Sequence, residues 1–245
     1  MSASPGTASR STRVLGVLAL LSLGTTVVAG LSLPQTREQH AYSRLIAIHP
    51  PIAWAAYLAL GVTGLASVLY LWPRTRSRSW DLIAGSSAEI GAVFLALTLV
   101  TGSIWGRPTW GVWWVWDARL TLTALLLALS LGYLALRRVP AAAEIRGTRS
   151  AIAALLMLAV VPIDHFAVDW WRTLHQDSSF ERAKSNLDGK FIAAMLLGFA
   201  AMTLVYAWLL VHRYRLEQLE ERLETEGLEM ALAERRAEAN VTGGN

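Results

Sequence analysis

The chain has 245 residues, of which 54% are hydrophobic and 16% charged, and its formal net charge is +4. Soluble domains are about one quarter charged, so this composition excludes an ordinary soluble protein, and it is too apolar for a disordered chain. The absence of cysteine excludes disulfides, thiolate metal sites and iron–sulfur clusters, which leaves His, Met, Tyr and carboxylates as metal ligands.

Six apolar stretches predict an all-α integral membrane protein with six transmembrane helices. They are residues 14–33, 52–72, 82–104, 120–136, 150–168 and 190–211, and most have the ~20 residues that a bilayer core requires. We expect an N-terminal tail (1–13), a six-helix transmembrane domain (14–212) and a charged helical tail (213–245). Lys and Arg residues near the helix ends are modestly more numerous on the side of both termini, which predicts that this side is cytoplasmic. The net charge is therefore an orientation signal and does not indicate nucleic-acid binding.

By parity, residues 34–51, 105–119 and 169–189 share the outer face. They include His49, which precedes two prolines at the start of the second helix, and His175, just after the fifth. A lone interfacial His is more often structural or solvated. Two histidines on one face instead favour a role as metal ligands, because neutral imidazole is a common axial ligand of haem iron.

A tryptophan-rich tract lies on the same face, with five of the eleven Trp residues between Trp105 and Trp116. One or two would be membrane-interface anchors, whereas five in so short a segment favour a built aromatic surface. Gly106, Pro108 and Gly111 are expected to end the third helix. From Trp110 the spacing predicts a short interfacial helix that presents an aromatic plate to a large, flat, apolar ring system.

One face of that predicted helix carries the residues at i, i+3, i+4 and i+7, namely Trp110, Trp113, Trp114 and Asp117. The tract closes with Arg119, which either pairs with an anionic substituent of a ligand or forms a surface pair with Asp117.

Other polar residues leave several interpretations open. Glu89 lies inside a span, where it makes a hydrogen bond within the bundle or serves transport. His165 and Asp164, near the outer end of the fifth helix, support the site, form a polar packing pair or have no function. The tail from about residue 216 to 239 contains eight Glu, and it is either a solvated charged helix or a docking helix with a narrow apolar stripe.

Three segments carry a resemblance to a known family. The tract from Trp105 to Thr121 resembles the tryptophan-rich signature of haem-handling proteins of cytochrome c biogenesis. Residues 48–54 (IHPPIAW) are similar to the family's His-x-Pro-x-Ala-Trp segment, and residues 170–176 (WWRTLHQ) to its Trp-Trp-x-Thr-Leu-His-Gln segment. With six spans, the chain resembles the haem exporter protein C family of the cytochrome c maturation (Ccm) pathway over residues 14–212.

The resemblance implies that haem b is held at the periplasmic face with His49 and His175 as axial ligands. It implies a haem platform made of Trp105, Trp110, Trp113, Trp114, Trp116, Asp117 and Arg119. Supporting residues are expected at Trp54, Trp170, Trp171 and Arg172. The chain departs from the family's usual residue types at Asp164, His165 and Arg172. The resemblance therefore implies the iron ligands but not the charge of the pocket near these three residues.

The resemblance also implies a multi-pass subunit of the bacterial inner membrane that delivers haem to a membrane-anchored haem chaperone. Its implied partners are an ABC-type ATP-binding subunit, a permease subunit and a small single-span subunit. This chain has no phosphate-binding Gly-x-x-x-x-Gly-Lys-Ser/Thr segment, so we expect ATP hydrolysis on a partner and no enzymatic activity here. The alternatives are a membrane redox protein (a b-type cytochrome or quinone oxidoreductase), which usually carries paired His inside the bilayer, and a solute permease built on broken helices.

Overall fold

Six long helices form the part of the chain that a computed structural model describes, residues 9–37, 39–175 and 188–242. They are α1 (Arg10–Ser32), α2 (His49–Leu71), α3 (Arg78–Trp110), α4 (Ala118–Arg138), α5 (Ala143–Trp170) and α6 (Gly189–Thr242), and a 3-10 helix (Ala41–Ala47) precedes α2. All six are long and apolar enough to cross a membrane. The predicted all-α, six-span architecture is therefore confirmed.

Helices α2 to α5 form a closed ring in which each packs against the next and α5 returns to α2. Helix α6 lies outside this ring against α2 and α3, and α1 packs against α6 and the 3-10 helix. The core of the ring is fully buried and combines small residues of α2, such as Ala55 and Ala59, with Leu95, Leu126 and Met157 from the other helices. Small residues allow membrane helices to approach closely, which is the main source of packing contact when lipid is as apolar as the core.

Close backbone approaches fix the start of α2. A Cβ atom added to Gly198 of α6 would lie 2.5 Å from the carbonyl oxygen of Ala47 and 2.5 Å from Pro51. Prolines are tolerated in the first turn of a helix, where backbone N–H groups have no partner within the helix. The Pro50–Pro51 pair and the glycine on α6 thus hold the first turn of α2 in place.

Charged residues connect the helices at the end opposite to this turn. The buried Asp81 pairs with Arg78 and, at 2.6 Å, with Arg137 of α4. Glu89 of α3 accepts a hydrogen bond of 3.0 Å from Arg213 of α6. The structure thus supports the interpretation of Glu89 as a hydrogen-bonding group within the bundle.

The structure corrects the prediction of a short tryptophan-rich interfacial helix. Helix α3 continues through Gly106 and Pro108 to Trp110, and the chain from 111 to 117 is not helical. Pro108 lies in the last turn, where it removes a single backbone hydrogen bond. Gly111 then ends the helix with a φ of 81°, and Asp117 has an extended backbone as the N-cap of α4. An N-cap residue is not helical, so Asp117 does not belong to a helical face with Trp110.

The charged C-terminal segment continues α6 without a break, since the helix runs from Gly189 to Thr242. Its leucines at 216, 219 and 223 are exposed. The division of the chain at residues 13 and 212 stays a prediction.

Candidate functional site

A pocket of about 950 Å³ opens at the end of the bundle where the first turn of α2 lies. It is bordered by α2, α3, α5, α6 and the start of α4, and most of its lining is apolar or aromatic. Small-molecule sites usually enclose about 300–1,000 Å³, so this pocket has room for a large ligand. His49, Trp114 and His175 come from the three segments that an even number of spans places on one face, and all three residues line this pocket.

His49 is the first residue of α2 and only 7% of its surface is exposed. Its Nδ1 lies 2.9 Å from the Oγ1 of Thr101 on α3. The ring of Trp105 meets the imidazole edge-on, with 5.7 Å between the ring centres. Helix α3 therefore fixes the orientation of the His49 ring.

His175 approaches from the segment that follows α5. Its backbone N–H donates a hydrogen bond of 3.1 Å to the Oγ1 of Thr173, and its ring lies edge-on to Trp110 at 5.6 Å between centres. Burial, with a smaller contribution from the positive charge of Arg119, lowers the pKa of His175 from its ordinary 6.5 to about 4. The imidazole is therefore neutral at pH 7 and has a lone pair available for a metal.

The two imidazoles lie close together in the pocket. Their ring centres are 6.4 Å apart and their planes differ by 20°. Metal–imidazole nitrogen bonds are about 2 Å long and the nitrogen lies about 1 Å from the ring centre, so two imidazoles on opposite sides of one metal have centres about 6 Å apart. Within the described residues no group of three or more His, Cys, Asp or Glu is placed to hold a metal ion. The distance between the two rings thus suits a metal whose other ligands come with it, as in an iron porphyrin.

The five tryptophans of the tract divide into two groups. Trp105, Trp110 and Trp114 line the pocket. Trp113 and Trp116 are 60% and 78% exposed and lie outside the described lining. Trp116 still touches the inner group, because its ring lies edge-on to Trp114 at 5.3 Å between centres. The tract is therefore a pocket wall with an exposed rim and not a single flat plate.

Asp117 connects the tryptophan tract to the segment that carries His175. One carboxylate oxygen accepts the backbone N–H of Leu120 at 2.9 Å and so caps α4. The other accepts the backbone N–H of Leu174 at 3.1 Å. Asp117 thus fixes the residue next to His175 and lies outside the described lining of the pocket.

Arg119 lines the pocket and is oriented by α5. Its guanidinium donates to the carbonyl oxygen of His165 at 2.9 Å, and its Nε lies 4.0 Å from the carboxylate of Asp164. The ion-pair partner of Arg119 is therefore Asp164, and the expected alternative of an Arg119–Asp117 pair is wrong.

The polar network around Asp164 was only partly visible in the sequence. The carboxylate is fully buried and accepts a hydrogen bond of 2.6 Å from the hydroxyl of Tyr57. Thr123 bonds to it at 3.2 Å. Asp164 stood out as an unusual residue for this position, but nothing in the local sequence indicated Tyr57 or Thr123.

The four predicted supporting residues differ in their positions. Trp54 lines the pocket and donates its indole N–H to Thr203 of α6 at 3.0 Å. Trp170, Trp171 and Arg172 are exposed and lie outside the described lining. A role for these three in the site stays a prediction.

The fold and the site define a class: a multi-pass helical membrane protein with paired imidazoles in a tryptophan-lined pocket at one end of its bundle. A family model described as heme exporter protein C matches residues 3–229. The chain is 37% identical over 206 residues to the heme exporter protein C of Haemophilus influenzae, covering 83% of each chain.

Two further relatives carry the same name. The protein of Bradyrhizobium diazoefficiens is 36% identical over 235 residues, which covers 93% of this chain and 88% of the relative. That of Escherichia coli is 34% identical over 183 residues, with 74% and 73% covered. The chain therefore belongs to the heme exporter protein C family, whose members are membrane proteins of cytochrome c biogenesis.

Proposed function

We propose that this chain binds haem b in the pocket, with His49 and His175 as axial ligands, and delivers it to a membrane-anchored haem chaperone during c-type cytochrome biogenesis. The observation that carries the proposal is the spacing of 6.4 Å between the ring centres of His49 and His175, which line the same pocket. Membership of the heme exporter protein C family supports haem as the transported ligand.

The remaining residues of the pocket match the chemistry of haem b. Trp105, Trp110 and Trp114 supply aromatic surface for an apolar macrocycle. Haem b also carries two carboxylates, and the guanidinium of Arg119 is the cation that lines the described pocket. Trp113 and Trp116 are exposed at the rim, where they are accessible to the porphyrin edge and to an incoming chaperone.

The proposed role is that of a transport subunit and not of an enzyme. ATP hydrolysis is assigned to an ABC-type partner, which acts with a permease subunit and a small single-span subunit. The site faces the periplasm of a bacterial inner membrane and both termini lie in the cytoplasm. Arginines at the opposite end of the bundle, such as Arg74, Arg137 and Arg138, support this orientation because cytoplasmic loops are enriched in basic residues.

The test is haem content after purification in detergent, measured by the pyridine haemochrome assay. His49→Ala and His175→Ala are each expected to lose most of the bound haem, because each removes one iron ligand. His40→Asn is the matched control, since His40 is exposed in a loop of the same face and lies outside the described lining of the pocket.

Full haem occupancy in the double variant would contradict the proposed ligation. Rapid reduction of the bound haem by quinol would instead identify a membrane redox protein. The heme exporter assignment predicts that quinol reduces it slowly or not at all.

A further inference from the structure

The hydrogen bond between His49 and Thr101 determines which nitrogen of the imidazole is free. The Oγ1 of Thr101 lies 2.7 Å from the carbonyl oxygen of Leu97, one turn earlier in α3. A hydroxyl has one proton to donate. Since that proton is directed to a backbone carbonyl, the oxygen of Thr101 acts as an acceptor toward His49, 2.9 Å away.

The proton of the neutral imidazole is therefore on Nδ1, and the lone pair is on Nε2. A metal that binds His49 in this arrangement binds it through Nε2. The threonine hydroxyl thus selects one tautomer of the ring before any ligand arrives.

The shape of α3 next to Thr101 holds the same ring. A Cβ atom added to Gly102 would lie 3.1 Å from the Cε1 of His49, which is closer than most real contacts of a Cβ atom. Trp105, one turn later, meets the ring edge-on. Three positions of a single helix, 101, 102 and 105, therefore fix both the tautomer and the plane of the imidazole.

We propose that Thr101 is a positioning residue for iron ligation, which presents Nε2 of His49 to the haem iron and keeps this ligand only moderately basic. The inference rests on the proposed role of His49. Outer-shell acceptors raise the basicity of a metal-bound imidazole, and carboxylates do so most strongly because they are charged. A neutral hydroxyl orients the ring and raises its basicity less than a carboxylate would, which suits a site that must release its haem to a partner.

The test compares Thr101→Val with wild-type protein in detergent. Valine has nearly the same shape but accepts no hydrogen bond, so the Nδ1–H of His49 loses its partner. We expect haem affinity, measured by titration of haem into the purified protein, to fall by about 10-fold, the lower end of the usual effect of removing an outer-shell partner. The reduction potential of the bound haem is expected to rise, because a less basic ligand stabilises the ferric state less.

Rescue separates this effect from a change of packing. Thr101→Ser restores the acceptor and is expected to recover both affinity and potential. If the protein does not fold with valine at position 101, Thr101→Ala is the second test, because alanine also lacks the acceptor and is smaller than threonine. The matched control is Thr25→Val on α1, where the hydroxyl donates to the carbonyl of Leu21 at 2.8 Å on an exposed surface remote from the pocket.

The outcomes distinguish this inference from the proposed function beneath it. If His49→Ala keeps the affinity and the spectrum of wild type, His49 is not a ligand and both proposals fail. If His49→Ala loses haem while Thr101→Val and Thr101→Ala keep wild-type affinity and potential, the ligand assignment stands and the role of Thr101 is overturned.

Discussion

Asp164 shows how a single buried charge organises the polar side of the pocket. Its carboxylate is fully buried, accepts the hydroxyl of Tyr57 and lies 4.0 Å from the guanidinium of Arg119. A buried charge is costly unless it is paired and hydrogen-bonded. The position of Arg119, which faces the proposed ligand, therefore depends on a carboxylate that does not itself line the described pocket.

Asp164→Ala is expected to destabilise the protein by about 1–3 kcal/mol, because the hydroxyl of Tyr57 loses its acceptor and Arg119, whose side chain is 20% exposed, loses its ion-pair partner. Asp164→Asn removes the same charge but keeps one acceptor oxygen, which both Tyr57 and Thr123 can reach, so its effect should be smaller. The measurement is thermal unfolding in detergent, together with haem content. Equal unfolding midpoints for Asp164→Ala and wild type would show that Arg119 finds another partner.

The two proposed ligands of the site were predictable from sequence, but the residues that orient them were not. His49 and His175 stand in recognisable segments, and parity placed both on one face. Thr101 is 52 residues from His49 in the chain and Tyr57 is 107 residues from Asp164. Threonine and tyrosine in apolar spans commonly bond to their own helix or simply pack, so only the tertiary structure reveals these pairs.

At the scale of elements, the end of α3 determines where the tryptophan tract goes. Gly111 has a φ of 81° and its backbone N–H donates to the carbonyl of Arg107 at 3.0 Å. This left-handed residue turns the chain away from the helix axis, so that Trp114 lies in the pocket wall and Trp113 is exposed. The sequence showed the residues that can break a helix but not which of them ends α3, because a proline in the final turn of a helix destabilises it little.

Gly111→Val is expected to destabilise this turn by about 1–2 kcal/mol, since a side chain with a Cβ atom is strained in the left-handed region. Haem retention should fall with it, because Trp114 would no longer be held against the pocket. Gly111→Asn should retain more haem, as Asn tolerates this conformation. The control is Gly132→Val on α4, where an added Cβ meets nothing within 4 Å. A haem content equal to that of wild type in Gly111→Val would show that the turn at Gly111 is not needed for haem binding.

At the scale of the whole molecule, the sequence predicted how many helices there are but not which ones are neighbours. Apolar residues cover both the lipid-facing and the packed sides of a membrane helix, so amphipathic periodicity is weak. In α1, Leu20 and Leu21 are 62% and 64% exposed, whereas Gly16 and Ala19 are buried. Small residues, and not large apolar ones, mark the face that packs on α6.

The proposed orientation of the bundle can be tested by labelling, because the natural chain has no cysteine and gives no background. Val112 lies at the site end, Val139 follows α4 at the opposite end and Leu223 lies in the charged part of α6; their side chains are 42%, 49% and 68% exposed. Each is changed singly to Cys and exposed to a maleimide that does not cross the inner membrane.

We expect Val112→Cys to react in spheroplasts. Val139→Cys and Leu223→Cys should react only after the membrane is permeabilised, because an even number of spans puts both termini on the side of the arginine-rich end. Reaction of Val112→Cys and Val139→Cys from the same side would contradict the six-span topology. Reaction of Val139→Cys and Leu223→Cys from outside, without reaction of Val112→Cys, would reverse the orientation and place the pocket toward the cytoplasm.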